Sequence, residues 1–170
     1  NRPSLELTGM DLNQAALHTL ALLGIKTLLT KEIPNSRWDV ITAWGLVEHL
    51  KRQHEFLKNV HSKLLNGGLF ISCVPNVERL SKYAATFCPQ HLSYFSIDTL
   101  SKLYEDCGFK INHFYTVEDE RVPIAKFISG LTPYGKHPEW AYSHNLFRQD
   151  LKNILGRNKG YKIVLIGEKI

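Results

Sequence analysis

The stretch that decides the fold is Trp38-Asp39-Val40-Ile41-Thr42-Ala43-Trp44-Gly45-Leu46-Val47-Glu48-His49-Leu50. An acidic residue opens a short apolar run, and the run ends at Gly45. Because β-branched residues stand at its centre and residues 40–43 hold no charge, the pattern predicts a strand buried on both faces. Glu48 and His49 follow just past its carboxyl end. Ligands bind at that edge of open parallel α/β sheets, so this edge is the predicted site.

The rest of the chain alternates between strand and helix patterns. Residues 5–11 alternate in polarity, a helix capped by Asn13 follows, and residues 25–30 predict a short strand. After His49 the predicted elements are a helix over 53–66, a strand over 69–74, a helix from Ser96 to Gly108, and strands over 109–117 and 161–170. The alternation predicts one α/β domain over residues 1–170.

The composition of the 170 residues is that of an ordinary globular protein, with 44% hydrophobic and 22% charged residues. No apolar run approaches the ~18 residues that a membrane span needs. Cys73, Cys88 and Cys107 are scattered, which predicts reduced core thiols and a cytoplasmic location. The net charge of +5 permits a nucleic-acid partner, but no platform of basic and aromatic residues supports one.

Several short motifs, taken as an ordered set, resemble the class I S-adenosylmethionine-dependent methyltransferases. The match is to a bacterial branch of small-molecule enzymes, and it covers roughly residues 5 to 117. The matching pieces are residues 38–41, 48–50, 64–68, Pro75-Asn76, 91–95, Leu100 and Gly108-Phe109. The resemblance implies a Rossmann-like, doubly wound, mostly parallel sheet of order 3-2-1-4-5-7-6 with an antiparallel last strand. It also implies S-adenosylmethionine as the cofactor.

The family's first strand and glycine-rich loop have no counterpart here. Residues 5–11 contain one glycine and no Gly-x-Gly, and the 28 positions from Asp11 to Asp39 hold only one helix and one short strand. Residues 5–11 therefore match the family's second strand, and the N-terminal βα unit is missing. We expect these 170 residues alone to bind S-adenosylmethionine poorly, which micromolar binding in isothermal titration would refute. If the chain is complete, a homo-oligomer is one way to cover the open strand edges.

The resemblance also assigns the cofactor-binding residues. Asp11 matches the acid that binds both ribose hydroxyls, a task suited to a carboxylate because it accepts two hydrogen bonds. A helix-capping role for Asp11 stays open. The other positions implied to contact the cofactor are Leu12, Glu32, Ala43, Trp44 and Gly45.

Methyl transfer is an in-line displacement, so the protein mainly positions the two reactants. A hydroxyl acceptor also needs a general base, and His49 and His91 are the candidate catalytic residues because both lie in matched motifs. The sequence leaves open which of them acts. Other histidines, among them His54 and His61, are predicted to be surface residues. In the structural alternative, Glu48 caps the next helix or bonds loop amides while His49 packs beneath the cofactor.

A metal-dependent variant of this loop exists in related enzymes. Ubiquinone-biosynthesis O-methyltransferases and the enzymes that 2′-O-methylate small-RNA 3′ ends carry Glu-x-x-Glu-His, and the RNA enzymes add a later histidine. Here Glu48, His49 and His91 match, but Gly45 occupies the first glutamate position. Because one ligand is lost, no metal is predicted, and a site at Glu48, His49 and His91 is the alternative.

The predicted function is transfer of a methyl group from S-adenosylmethionine to a small molecule, at oxygen. The alternatives are RNA 2′-O-methylation and a truncated, non-catalytic binding or dimerisation module. Residues 118–160 carry no family signature, although a helix is predicted over 138–155. They form either a substrate-contacting insertion or a helix packed on the sheet.

Overall fold

The computed structural model describes residues 5–79, 90–117, 160 and 162–170. The chain divides into two compact units, Asn1–Ser36 and Arg37–Ile170. The prediction of a single domain stays a prediction. The suggested insertion at 118–160, with its helix at 138–155, lies outside the described residues except for Gly160. No helix in the described part of the chain is both long and apolar enough to cross a membrane.

The first unit is a βαβ unit made of β1 (Thr8–Asp11), α1 (Gln14–Leu22) and β2 (Lys26–Leu29). The two strands are parallel, and Asp11 pairs with Leu29 at their carboxyl ends. The predicted cap is confirmed: the Asn13 side chain accepts a hydrogen bond from the Ala15 amide at 2.9 Å. This cap places the start of α1 directly after the acid that ends β1.

The second unit is a four-stranded sheet of order β3-β4-β6-β5. Its elements are β3 (Trp38–Trp44), α2 (Gln53–Lys63), β4 (Leu64–Pro75), α3 (Ile97–Glu105), β5 (Phe109–Val117) and β6 (Lys162–Lys169), with short 3₁₀ turns at Val47–His49 and Val77–Arg79. β3 and β4 are parallel, whereas β6 runs antiparallel to both of its neighbours. The predicted α/β class and antiparallel last strand are confirmed. The described strands form two sheets, one in each unit.

The core of the second unit contains a cluster of three aromatic rings, Phe70 on β4, Tyr104 on α3 and Phe109 on β5. Phe70 stacks on Tyr104 with ring centroids 5.2 Å apart, and Phe109 lies within 6 Å of both rings. Tyr104 reaches this core because α3 begins at the predicted cap, where the Ser96 and Thr99 side chains form a reciprocal capping box.

The helix predicted over 53–66 is too long. α2 ends at Lys63 and β4 begins at Leu64, because the Gly67-Gly68 pair forms a strand irregularity instead of a helix end. Gly67 has φ +77°, and a Cβ on Gly68 would lie only 3.1 Å from the carbonyl oxygen of Asp39 on the neighbouring strand. Only glycine permits this close approach, so the pair shifts the β3–β4 register at this point.

The prediction that β3 is buried on both faces is wrong for this unit. Val40 is 46% exposed and Trp44 61% exposed. β3 is an edge strand of the described four-stranded sheet, and the described helices pack on other strands: α2 on β4, and α3 on β5 and β6. The apolar composition therefore predicted the strand correctly, but it did not predict how far the faces of the strand are covered.

Candidate active site

The site begins where β3 ends. Gly45 has φ +60°, a left-handed conformation that favours glycine, and its amide donates to the Cys73 carbonyl on β4 at 2.9 Å. The chain then enters the 3₁₀ turn Val47–His49. This turn sets Glu48 and His49 just past the carboxyl end of β3, as the sequence predicted.

A second segment, the loop of residues 90–95, is hydrogen-bonded to this turn. The amides of Leu92 and Ser93 both donate to the Glu48 backbone carbonyl, at 2.8 and 3.1 Å. The Gln53 side chain adds a third link, because its Nε2 donates to Ser93 Oγ at 2.6 Å. These bonds bring His91 beside the turn, although it lies more than forty positions later in the chain.

Glu48, His49 and His91 form one cluster. One carboxylate oxygen and one ring nitrogen from each histidine all lie within 4.8 Å of one another. The two imidazole rings meet edge to face, with centroids 4.7 Å apart. His91 also contacts the ring of Tyr94 at 5.8 Å. The structure therefore brings together His49 and His91, the two predicted catalytic residues. Glu48, which directly precedes His49 in the chain, is the third member of the cluster.

The Glu48 carboxylate is the unusual member of the cluster. It is 2% exposed, and its Oε2 atom has no hydrogen-bond partner among the described residues. It does not cap α2, whose N-cap is Arg52 without a side-chain bond, and the loop amides bind its backbone instead of its side chain. A buried carboxylate oxygen without a hydrogen-bond partner is costly, so the site favours a donor or cation beside Oε2.

His49 is oriented by the loop. Its Nδ1 atom lies 2.9 Å from the Gln90 carbonyl oxygen. Because a carbonyl only accepts, Nδ1 carries the proton and the neutral ring presents Nε2 as an acceptor or ligand. The imidazole is thereby set in one tautomer for proton transfer or metal binding.

The far end of the loop is held by Asn76, which directly follows β4. Its side chain accepts from the Glu78 amide at 3.1 Å and donates to the Gly160 carbonyl at 3.1 Å. The Val77 amide donates to the Phe95 carbonyl. The Pro75-Asn76 motif was visible in the sequence, but Gln53 and Ser93 carried no signal because each is an ordinary polar residue until the loop closes on the turn.

The predicted ribose and adenine contacts lie in the first unit. Asp11 is exposed, and one of its oxygens accepts from the Asn13 amide at 2.8 Å, so it also helps to start α1. Leu12, the next residue, is 58% exposed, and Leu29, which pairs with Asp11 across the two strands, is 56% exposed. Glu32 is exposed three residues beyond β2. An exposed acid between apolar side chains fits a nucleoside, which offers a diol and a flat ring.

The remaining predicted residues fall into two groups. Ala43 is buried and Trp44 exposed at the end of β3, next to Gly45 and the cluster. His54 is exposed, as predicted. The prediction for His61 is wrong: it is partly buried against the Phe109 ring at 5.1 Å. Burial and the Lys169 charge lower the pKa of His61, partly opposed by a backbone hydrogen bond with Gly108.

The strand order, the antiparallel β6 and the polar cluster past β3 together define the class: this is the Rossmann-like fold of class I S-adenosylmethionine-dependent methyltransferases. A family model described as a methyltransferase domain matches residues 3–113. The chain belongs to that family, and its cofactor is S-adenosylmethionine.

Solved structures of low sequence identity share this fold. The methyltransferase in the Haloferax volcanii complex with the activator Trm112 is 13% identical, with a TM-score of 0.67 over 98% of this chain and 73% of its own. A methyltransferase from Archaeoglobus fulgidus is 19% identical, with a TM-score of 0.59 over 95% and 75%. The 1,6-didemethyltoxoflavin N1-methyltransferase of Burkholderia thailandensis is 16% identical, with a TM-score of 0.55 over 96% and 61%. No curated protein sequence matches the chain.

Proposed function

We propose that this protein transfers the methyl group of S-adenosylmethionine to a hydroxyl oxygen of a small molecule bound beside Glu48, His49 and His91. The observation that supports this most strongly is the His49 ring of the cluster, whose Nδ1–H bond to Gln90 leaves Nε2 as the acceptor. A hydroxyl is a poor nucleophile until its proton leaves. His49 and His91 are therefore the proposed catalytic residues, and they promote removal of that proton.

The cofactor supplies an activated methyl group, so the chain mainly binds and orients. Asp11, Leu12 and Glu32 are proposed to hold the nucleoside. Ala43, Trp44 and Gly45, at the end of β3, are proposed to contact the cofactor as well. A small-molecule acceptor agrees with the toxoflavin enzyme among the fold neighbours, although that enzyme is named for transfer to nitrogen.

The location and extent of the protein are part of the same proposal. Cys73 and Cys107 are buried and form no disulfide, which suits the predicted cytoplasmic compartment. We propose a single methyltransferase domain in which residues 118–160 contact the acceptor. The choice of oxygen is supported by the histidine pair, since an amine acceptor has less need of proton removal before attack.

The test is a methyl-transfer assay with the full chain and labelled S-adenosylmethionine at millimolar concentration, because the cofactor is expected to bind poorly. Acceptors are offered as matched sets in which a small alcohol, amine and thiol share one skeleton, beside a short RNA with a free 3′ end. The alcohol is expected to be methylated. His49→Gln and His91→Asn are expected to lower kcat by about 10²–10⁴, whereas His54→Asn, an exposed histidine outside the cluster, leaves kcat unchanged. Methylation of the amine or the RNA alone, or full kcat in both cluster variants, would overturn the proposal.

A further inference from the structure

We infer that Glu48, His49 and His91 form a binding site for a first-row divalent transition-metal ion of the manganese-to-zinc series. The inference rests on the proposed function for its purpose, but its test measures ion binding directly. Two imidazoles and one carboxylate are a known three-ligand set that leaves further coordination positions open. Here the three groups come from one turn and one loop of the second unit.

The donor atoms are close enough to share an ion after small adjustments. They lie within 4.8 Å of one another, and atoms bound to one ion at about 2.1 Å are at most about 4 Å apart. Both imidazoles are only partly buried, so small shifts of the side chains can close the difference while His49 keeps its bond to Gln90. The turn and the loop need no rearrangement, because the Leu92 and Ser93 amides already hold them together.

An independent observation comes from the Glu48 side chain. It is nearly fully buried, its Oε2 has no hydrogen-bond partner in the described part of the chain, and the two salt bridges of that part lie elsewhere. A metal ion bound by His49 and His91 would supply the positive charge that this carboxylate lacks. The arrangement is hard to explain by packing alone, since an apolar residue would fill the space at lower cost.

The surroundings of His49 support the same conclusion. Histidines that bind metals usually donate the second ring N–H to a carboxylate or a backbone carbonyl, which fixes the ring and its tautomer. The bond from Nδ1 to the Gln90 carbonyl does this for His49 and leaves Nε2 for the ion. The His49 ring is thus oriented for binding before any ligand arrives.

The donor set also selects the ion. Magnesium and calcium prefer oxygen ligands, whereas imidazole suits zinc, iron, cobalt and nickel. Gly45 removes the fourth protein ligand that the sequence comparison called for, but three protein ligands are what open catalytic sites use. An acceptor hydroxyl bound at an open position would lose its proton more easily. His49 and His91 would then act as ligands of the ion instead of accepting the proton themselves.

The test is a cobalt titration of the chelator-treated full chain, followed by visible absorption and by isothermal titration. One Co²⁺ per chain is expected, with Zn²⁺ displacing it and Mg²⁺ failing to do so. Glu48→Gln and His91→Asn should each weaken Co²⁺ binding at least tenfold. His54→Asn is the matched control, because it removes an exposed histidine outside the cluster and should leave binding unchanged. Circular dichroism verifies the fold, and His49→Asn replaces any variant that does not fold.

Two results would overturn the inference: no stoichiometric cobalt uptake by the folded wild type, or uptake that both cluster variants leave unchanged. Neither result affects the proposed methyl transfer, which would then proceed with the histidines as direct proton acceptors. Conversely, tight cobalt binding without any methylated alcohol would contradict the proposed function and would still support the metal site.

Discussion

The Nδ1 atom of His49 lies 2.9 Å from the carbonyl oxygen of Gln90, a residue 41 positions later in the chain. This one bond joins the turn after β3 to the loop of residues 90–95. It also assigns the proton to Nδ1 and leaves Nε2 as the acceptor of the ring. The orientation of the proposed catalytic side chain is therefore a property of loop closure.

The His49 tautomer follows from that contact. At pH 8, long-range ¹H–¹⁵N correlation spectra are expected to show His49 protonated at Nδ1 and not at Nε2, because only an N–H can bond the carbonyl. The signal is assigned by its loss in His49→Gln. A spectrum dominated by the Nε2–H form would contradict the contact, and the exposed His54 provides the reference for an unconstrained ring.

Asp11→Asn is expected to weaken S-adenosylmethionine binding about tenfold or more, because hydrogen bonds to a charged group contribute about 1.5–3 kcal/mol. The amide oxygen still accepts from Asn13, so α1 should keep its start. An NMR titration that resolves millimolar affinities measures the change. Asp98→Asn, an exposed acid on α3, is the control. Equal affinities in wild type and Asp11→Asn would assign Asp11 to the helix start alone.

Ser93→Ala removes the acceptor of the Gln53 side chain, which donates to Ser93 Oγ at 2.6 Å. The free energy of unfolding is expected to fall by about 1 kcal/mol, since the Gln53 amide is partly buried and loses its short bond. Urea unfolding measures the change. Ser62→Ala, which removes an exposed hydroxyl bonded within its own helix, should change stability by less. If both variants behave alike, the loop does not depend on this link.

Tyr104→Phe is expected to lower the free energy of unfolding by about 1–2 kcal/mol, because its hydroxyl donates to the buried Ser72 Oγ at 2.7 Å. Burial raises the pKa of Tyr104, so the phenol stays protonated and remains a donor. Removing both partners in Tyr104→Phe with Ser72→Ala should cost less than the sum of the two single changes. Additive losses in urea unfolding would show that the bond contributes nothing of its own.

The stability should also depend on His61 below neutral pH. Its folded-state pKa is lowered from 6.5, mainly by burial, so the unfolded chain binds the proton more readily. The free energy of unfolding therefore falls as pH drops below about 6.5, the ordinary histidine value. His61→Gln should lose this part of the pH dependence, while His54→Asn keeps it. Identical pH–stability curves for wild type and His61→Gln would exclude the effect.

Much of the fold was readable from local patterns. Asn13 and Ser96 cap the helices that they were predicted to cap, and β5 has the predicted bounds Phe109–Val117. Caps and alternation depend on neighbouring residues, so they can be read from the chain itself. The predicted end of α2 was wrong. The Gly67-Gly68 pair is compatible with both a helix end and a strand irregularity, and only the close approach of β3 decides between the two.

From the sequence by itself came the α/β class, the position of Glu48 and His49 past a strand end, and His91 as a second candidate on the same edge. Only the tertiary structure showed that ligand atoms of these three side chains lie within 4.8 Å of one another and that Gln90 orients His49. It also showed that Glu48 is buried and that its Oε2 has no hydrogen-bond partner among the described residues. The reason is physical: the meeting depends on backbone bonds between segments more than forty residues apart. Such bonds form between amides and carbonyls that every residue carries, and so they leave no mark on the sequence.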